Sequence, residues 1–64
     1  MKHYTAGEIK KMLRKDGWYL VRITGHYQYK HPIKIGTVSV PHHGDNKELG
    51  VKILCNIFRQ AGWE

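Results

Sequence analysis

Two stretches of helical hydrophobic periodicity stand toward the ends of this 64-residue chain, and between them the apolar residues switch to strand-like alternation. In the first stretch Ala6, Ile9, Met12 and Leu13 share one face, while Lys10, Lys11, Arg14 and Lys15 fall outside it. In the second, Ile53, Leu54, Ile57, Phe58 and Ala61 recur at the same spacing. A chain this short buries only about 60% of the surface it exposes when unfolded. Neither stripe can be satisfied within its own helix, so both must cover one face of a small sheet. The other face is left to water.

Local signals divide the chain further. Thr5-Ala6-Gly7-Glu8 has the spacing of a capping box, and Gly17 is placed to stop the helix that follows it. Residues 18–23 are rich in aromatic and branched side chains and are expected as a strand, with Thr24-Gly25 as a turn. Residues 26–31 alternate: His26, Gln28 and Lys30 point one way, Tyr27, Tyr29 and His31 the other. Pro32 ends that strand, and residues 35–40 are expected as a third, with Val38 and Val40 inward and Thr37 and Ser39 outward. Residues 41–46 form a loop, Gly62 closes the second helix, and Trp63 is placed to tether the chain back onto the core. The expected fold is α+β, in the order α-β-β-β-α. Two helices pack on one face of a three-stranded antiparallel sheet, as one domain over residues 1–64.

Eleven Lys and Arg against five Asp and Glu give a net charge of +6, with five His besides. Such a balance suits a polyanionic or acidic partner. The single cysteine, Cys55, excludes an internal disulfide and a cysteine-based zinc site, and it fits a reducing compartment. The stretch Met1-Lys2-His3-Tyr4 has no apolar signal character, and no apolar run reaches membrane-spanning length. A cytoplasmic protein without a membrane partner is expected.

One run concentrates the chemistry: Arg22-Ile23-Thr24-Gly25-His26-Tyr27-Gln28-Tyr29-Lys30-His31-Pro32. An imidazole exchanges protons near neutral pH, and parity sets His26 on the outer sheet face among cations. His31 shares the parity of Tyr29, which gives it a structural place at the helices or the strand edge. Tyr27 and Tyr29 beside Lys30 have the aromatic-basic interleaving of single-strand binders, yet parity turns both rings toward the helices. His42-His43 near Asp45 lacks the spacing of recurrent metal sites, so no metal is expected there. Cys55 sits off the centre of its helical stripe and reads as a packing residue.

The helix-strand-strand-strand-helix order resembles the double-stranded-RNA-binding-domain fold, and the residues narrow the likeness. Gly17-Trp18, Arg22, Gly25-His26, Tyr29, His31-Pro32, Val38-Ser39-Val40-Pro41, His43, Glu48-Leu49, Leu54, Ile57 and Gln60-Ala61-Gly62 resemble the pattern of HicA (YcfA-like) toxins. The likeness runs over residues 7–63. The chain departs from the pattern at Thr24, where the family usually has Gly, and at Lys52-Ile53, where its last helix usually starts with Gly-Thr.

This resemblance implies a metal-independent endoribonuclease that cleaves mRNA and is neutralised by a HicB-type antitoxin protein. His26 is the implied catalytic residue, with no cofactor. Arg22, Gln28, Lys30 and Lys34 are the candidate RNA-binding residues, and Gly25, His31 and His43 the candidates for assistance. The toxin is expected to be monomeric, with higher assembly only through the antitoxin. Two other readings fit the same charge: a non-catalytic RNA-binding module of this fold, and a protein whose basic face only docks an acidic partner.

Overall fold

Thr5 opens the first helix, α1 (Ala6–Asp16), by the reciprocal bonds of a capping box. The Glu8 N–H donates to Thr5 Oγ1 at 3.2 Å, and the Thr5 N–H donates to Glu8 Oε1 at 2.9 Å. Gly17 ends the helix with φ 105°, a left-handed conformation that side chains with a Cβ adopt only at a cost. The Gly17 N–H donates to the Arg14 carbonyl and the Trp18 N–H to the Leu13 carbonyl, so the last turn is satisfied and the chain turns sharply toward the sheet. These details come from a computed structural model, which describes residues 3–41, 44 and 46–63.

The sheet contains β1 (Tyr19–Ile23), β2 (His26–Lys30) and β3 (Val38–Pro41) in the order β1-β2-β3, antiparallel throughout. The second helix, α2 (Val51–Gln60), follows. The architecture is the expected α-β-β-β-α layout, with different strand limits. Trp18 precedes β1 because its N–H is spent on the α1 terminus, and its ring is buried. Strand β3 starts at Val38 and not at residue 35, and it takes in Pro41.

The reason for the late start of β3 lies in His31. Its Nδ1 accepts from the backbone N–H groups of Ile33 and Lys34, both at 3.0 Å, so those donors are lost to any ladder. Gly36 then turns the chain with φ 94°. Ile33 and Ile35 consequently stand out in water, 84% and 94% exposed.

The core lies between the helices and one sheet face. Ala6, Ile9 and Leu13 of α1 and Leu54, Ile57 and Ala61 on the α2 side meet Tyr29, Val38 and Val40, with Trp18 and Leu49 completing the cluster. Tyr29 faces the helices as its parity requires. Tyr27 does so too, half-buried, with Lys10 Nζ 3.6 Å from its ring centroid. Before α2, Thr5 and Glu48 form a single antiparallel bridge that ties the incoming chain to the start of α1. Trp63 folds back as expected, its ring edge-on to Phe58 at 5.3 Å.

The weak point is the start of α2. Gly50 caps it with no side-chain bond, and no acidic residue stands in the first turn, where Lys52 places a positive charge. Gly50 is exposed with φ −65°, and nothing lies within 4 Å of where a Cβ would be. Gly50→Ser is therefore expected to stabilise the fold by about 0.5–1 kcal/mol, by restricting the unfolded chain and supplying a cap. A thermal midpoint unchanged or lowered would contradict this.

Candidate functional site

The sheet face away from the helices is open. Antiparallel pairing sets Lys30 opposite Tyr19, Gln28 opposite Arg22 on one side and Ser39 on the other, and His26 opposite Pro41. The register slips between Leu20 and Arg22, and this irregularity keeps Arg22 on the same side as Gln28. A depression of about 380 Å³ runs across this face, lined by Val21, Arg22, Thr24, Gln28, Lys30 and Thr37. No carboxylate among the described residues lines it.

His26 begins β2 one residue after the turn. Gly25 takes φ 80°, with open space where a Cβ would be, so the backbone conformation and not crowding requires glycine there. The Thr24 N–H donates to the His26 carbonyl at 3.0 Å, which closes the turn and fixes where the imidazole starts. The His26 side chain is exposed and makes no hydrogen bond to any described residue. It does not line the depression; it stands at the end of the same row, about 7 Å along β2 from Gln28 by strand geometry.

Gln28 is oriented by its neighbour. Ser39 Oγ donates to Gln28 Oε1 at 2.9 Å, leaving the amide NH₂ without a partner among the described residues. Arg22 and Lys30 are exposed on either side. The fold thus brings together Arg22, Gln28 and Lys30, with His26 at one end. A bound polyanion would meet two cations, an amide donor and an imidazole.

Lys34 does not join this set. Its Nζ donates to Asp16 Oδ2 at 2.6 Å and to the Ala61 carbonyl at 3.1 Å. His31 is also occupied: Nδ1 accepts the two backbone bonds described above, so the proton sits on Nε2, which donates to the Asp16 carbonyl at 2.8 Å. Both ring nitrogens are spent on holding the β2–β3 connection to the end of α1. His43 lies outside the described residues. Among the described residues no cluster of three or more His, Cys, Asp or Glu side chains is grouped for a metal.

The residue that sequence reasoning missed is Asp16. Its Oδ2 receives Lys34 Nζ, Trp18 Nε1 at 3.0 Å and Trp63 Nε1 at 3.2 Å, so one carboxylate clasps α1, the start of β1, the β2–β3 connection and the chain after α2. A carboxylate in the last turn of a helix is unfavourable to the helix dipole, and that local mismatch was the available signal. The bond from Lys34 holds the Asp16 carboxyl below its usual value against the opposing effect of burial, with the two indole N–H groups adding to the lowering.

A pH dependence follows. Because the folded value is depressed, the clasp contributes fully above the unfolded value of about 3.9 and is lost as pH falls through the folded one. Asp16→Asn should unfold at lower temperature than the wild type at pH 7, and the gap should begin to narrow as pH falls below about 4, closing only below the depressed folded value. A gap independent of pH would contradict the assignment.

The fold and the site define a small basic α-β-β-β-α protein with an exposed histidine on an open sheet face. The family model for the HicA toxin of bacterial toxin-antitoxin matches residues 6–63, nearly the whole chain, and the chain belongs to that family. No curated protein matches the chain. It is a toxin of the HicA family, and no helix in the described residues is long and apolar enough to cross a membrane.

Proposed function

We propose that this toxin is a cytoplasmic, metal-independent endoribonuclease that cleaves mRNA on the open sheet face, with His26 as the general base. The observation that carries the reading is the placement of His26: exposed, unengaged by any described side chain, and at the end of a row of Arg22, Gln28 and Lys30. In the reaction the His26 imidazole takes the proton of a ribose 2′-OH. The 2′-oxygen attacks the adjacent phosphorus, the bond to the 5′-oxygen breaks, and that oxygen leaves as a 5′-OH after gaining a proton. The products are a 2′,3′-cyclic phosphate and a 5′-OH end.

Arg22 and Lys30 stabilise the charge that develops on the non-bridging oxygens, and the Gln28 NH₂ supplies a further donor. Protonated His26 or His43 returns the proton to the leaving oxygen. His31 supports the site indirectly, by fixing the connection between β2 and β3. A HicB-type antitoxin restrains the activity, and the toxin is a monomer outside that complex.

The test is an RNA carrying a single 2′-deoxy nucleotide at a mapped cleavage position. The natural RNA should be cut in excess chelator to give a 5′-OH fragment, and the 2′-deoxy RNA should bind and remain intact. Cleavage of both would remove the 2′-OH from the mechanism. Binding without cleavage of either would make the protein an RNA-sequestering module.

A further inference from the structure

The two outer edges of the sheet are finished differently. At β3 the Ser39 N–H is capped by Gln60 Oε1 of α2 at 3.2 Å, and both helices pack against this strand. At β1 the edge away from β2 meets no other strand among the described residues. Its helix-side residues, Leu20 and Ile23, remain 44% and 53% exposed, because the helices pack chiefly against β3, at the opposite edge of the sheet. Beside Leu20 a shelf of about 450 Å³ is lined by Leu20, aromatic side chains, Lys10 and Arg14, with no carboxylate among the described residues that line it.

An unpaired strand edge is a template for another strand. Exposed leucine and isoleucine are poor contacts for a polyanion but good ones for a protein. A second copy of this chain is disfavoured by charge, since each carries +6 and would bring its own Arg14 and Arg22 toward the partner's. The complementary occupant is an acidic protein segment.

We propose that β1 is the docking strand for the antitoxin. An extended antitoxin segment pairs along the outer edge of Tyr19–Ile23, sets apolar side chains against Leu20 and Ile23, and brings carboxylates to Arg14 in the lining of the shelf. The inference rests on the antitoxin reading above. Because Arg22 belongs to β1, a segment seated there also screens one of the cations that would hold RNA.

The experiment titrates a purified HicB-type antitoxin against RNA cleavage by the wild type, by Leu20→Ser/Ile23→Ser and by Arg14→Glu, with circular dichroism to confirm folding. Losing two apolar anchors should raise the antitoxin concentration for half-inhibition by about a hundredfold, with cleavage in its absence unchanged. Arg14→Glu, which leaves the apolar contact intact, should raise it by about tenfold, more at low salt. Inhibition of both variants as for the wild type would overturn the proposal and leave the antitoxin reading standing. Failure of the antitoxin to bind the wild type would overturn both. Loss of RNA cleavage by the folded Leu20→Ser/Ile23→Ser protein would assign β1 to RNA. Concentration-dependent wild-type dimers abolished by that variant would assign it to a second copy.

Discussion

Replacing His26 with alanine should lower the rate of RNA cleavage by about 10²–10⁴, the range that one proton-transfer group contributes. Little else should change. The side chain is exposed and holds no described partner, so its removal leaves the core and the sheet ladder intact. Thermal unfolding should shift by less than about 0.5 kcal/mol, as for other surface substitutions. RNA affinity should be nearly retained, because Arg22 and Lys30 supply the phosphate contacts. Arg22→Ala gives the opposite pattern, with weaker binding and a shallower dependence of affinity on salt. A His26→Ala protein that cleaves at the wild-type rate would dismiss His26 from the chemistry.

The largest expected effect on stability is at Gly17. The residue has φ 105°, and a Cβ there would stand 2.8 Å from His31 Nε2. Gly17→Ala therefore adds two costs. A left-handed conformation costs a residue with a Cβ about 1–2 kcal/mol, and displacing the His31 ring forfeits a hydrogen bond worth about 0.5–1.5 kcal/mol. Together they should lower the thermal midpoint by about 10–20 °C in a domain of this size.

The two costs can be separated. In a His31→Ala background the added methyl group meets no ring, and Gly17→Ala should cost only the backbone part. Equal costs in both backgrounds would show that the His31 contact is immaterial. The non-additivity expected for side chains in contact is about 0.5–3 kcal/mol.

How far the sequence discloses this protein depends on whether a feature is local. Thr5 and Glu8 state the start of α1, Gly17 states its end, and the alternation over residues 26–31 states which face of β2 meets water. The open-face position of His26 follows from that alternation alone. Residues 35–37 misled because an isoleucine close to a valine-rich run looks like strand. What overrides that propensity is a histidine that captures two backbone N–H groups and a glycine that turns the chain. Neither is visible as spacing.

The same limit explains Lys34. By composition it is another cation beside the candidate site, and only the fold brings it to Asp16, eighteen positions earlier in the chain. The clasp is long-range and joins residues whose types carry no motif. Its consequence for function is a subtraction, since a lysine bound to a carboxylate and a carbonyl has little left for a phosphate. The open face keeps its positive character through Arg22 and Lys30.

In the proposed mechanism RNA lies across the open sheet face with His26 at one end of its track. The direct measurement is an NMR titration of the isotopically labelled toxin with an uncleavable 2′-deoxy-substituted oligonucleotide. The largest amide and side-chain shifts are expected at Arg22, Gly25, His26, Gln28, Lys30 and Ser39. Shifts confined to the basic outer face of α1 at Lys11, Arg14 and Lys15, with the sheet unmoved, would contradict it.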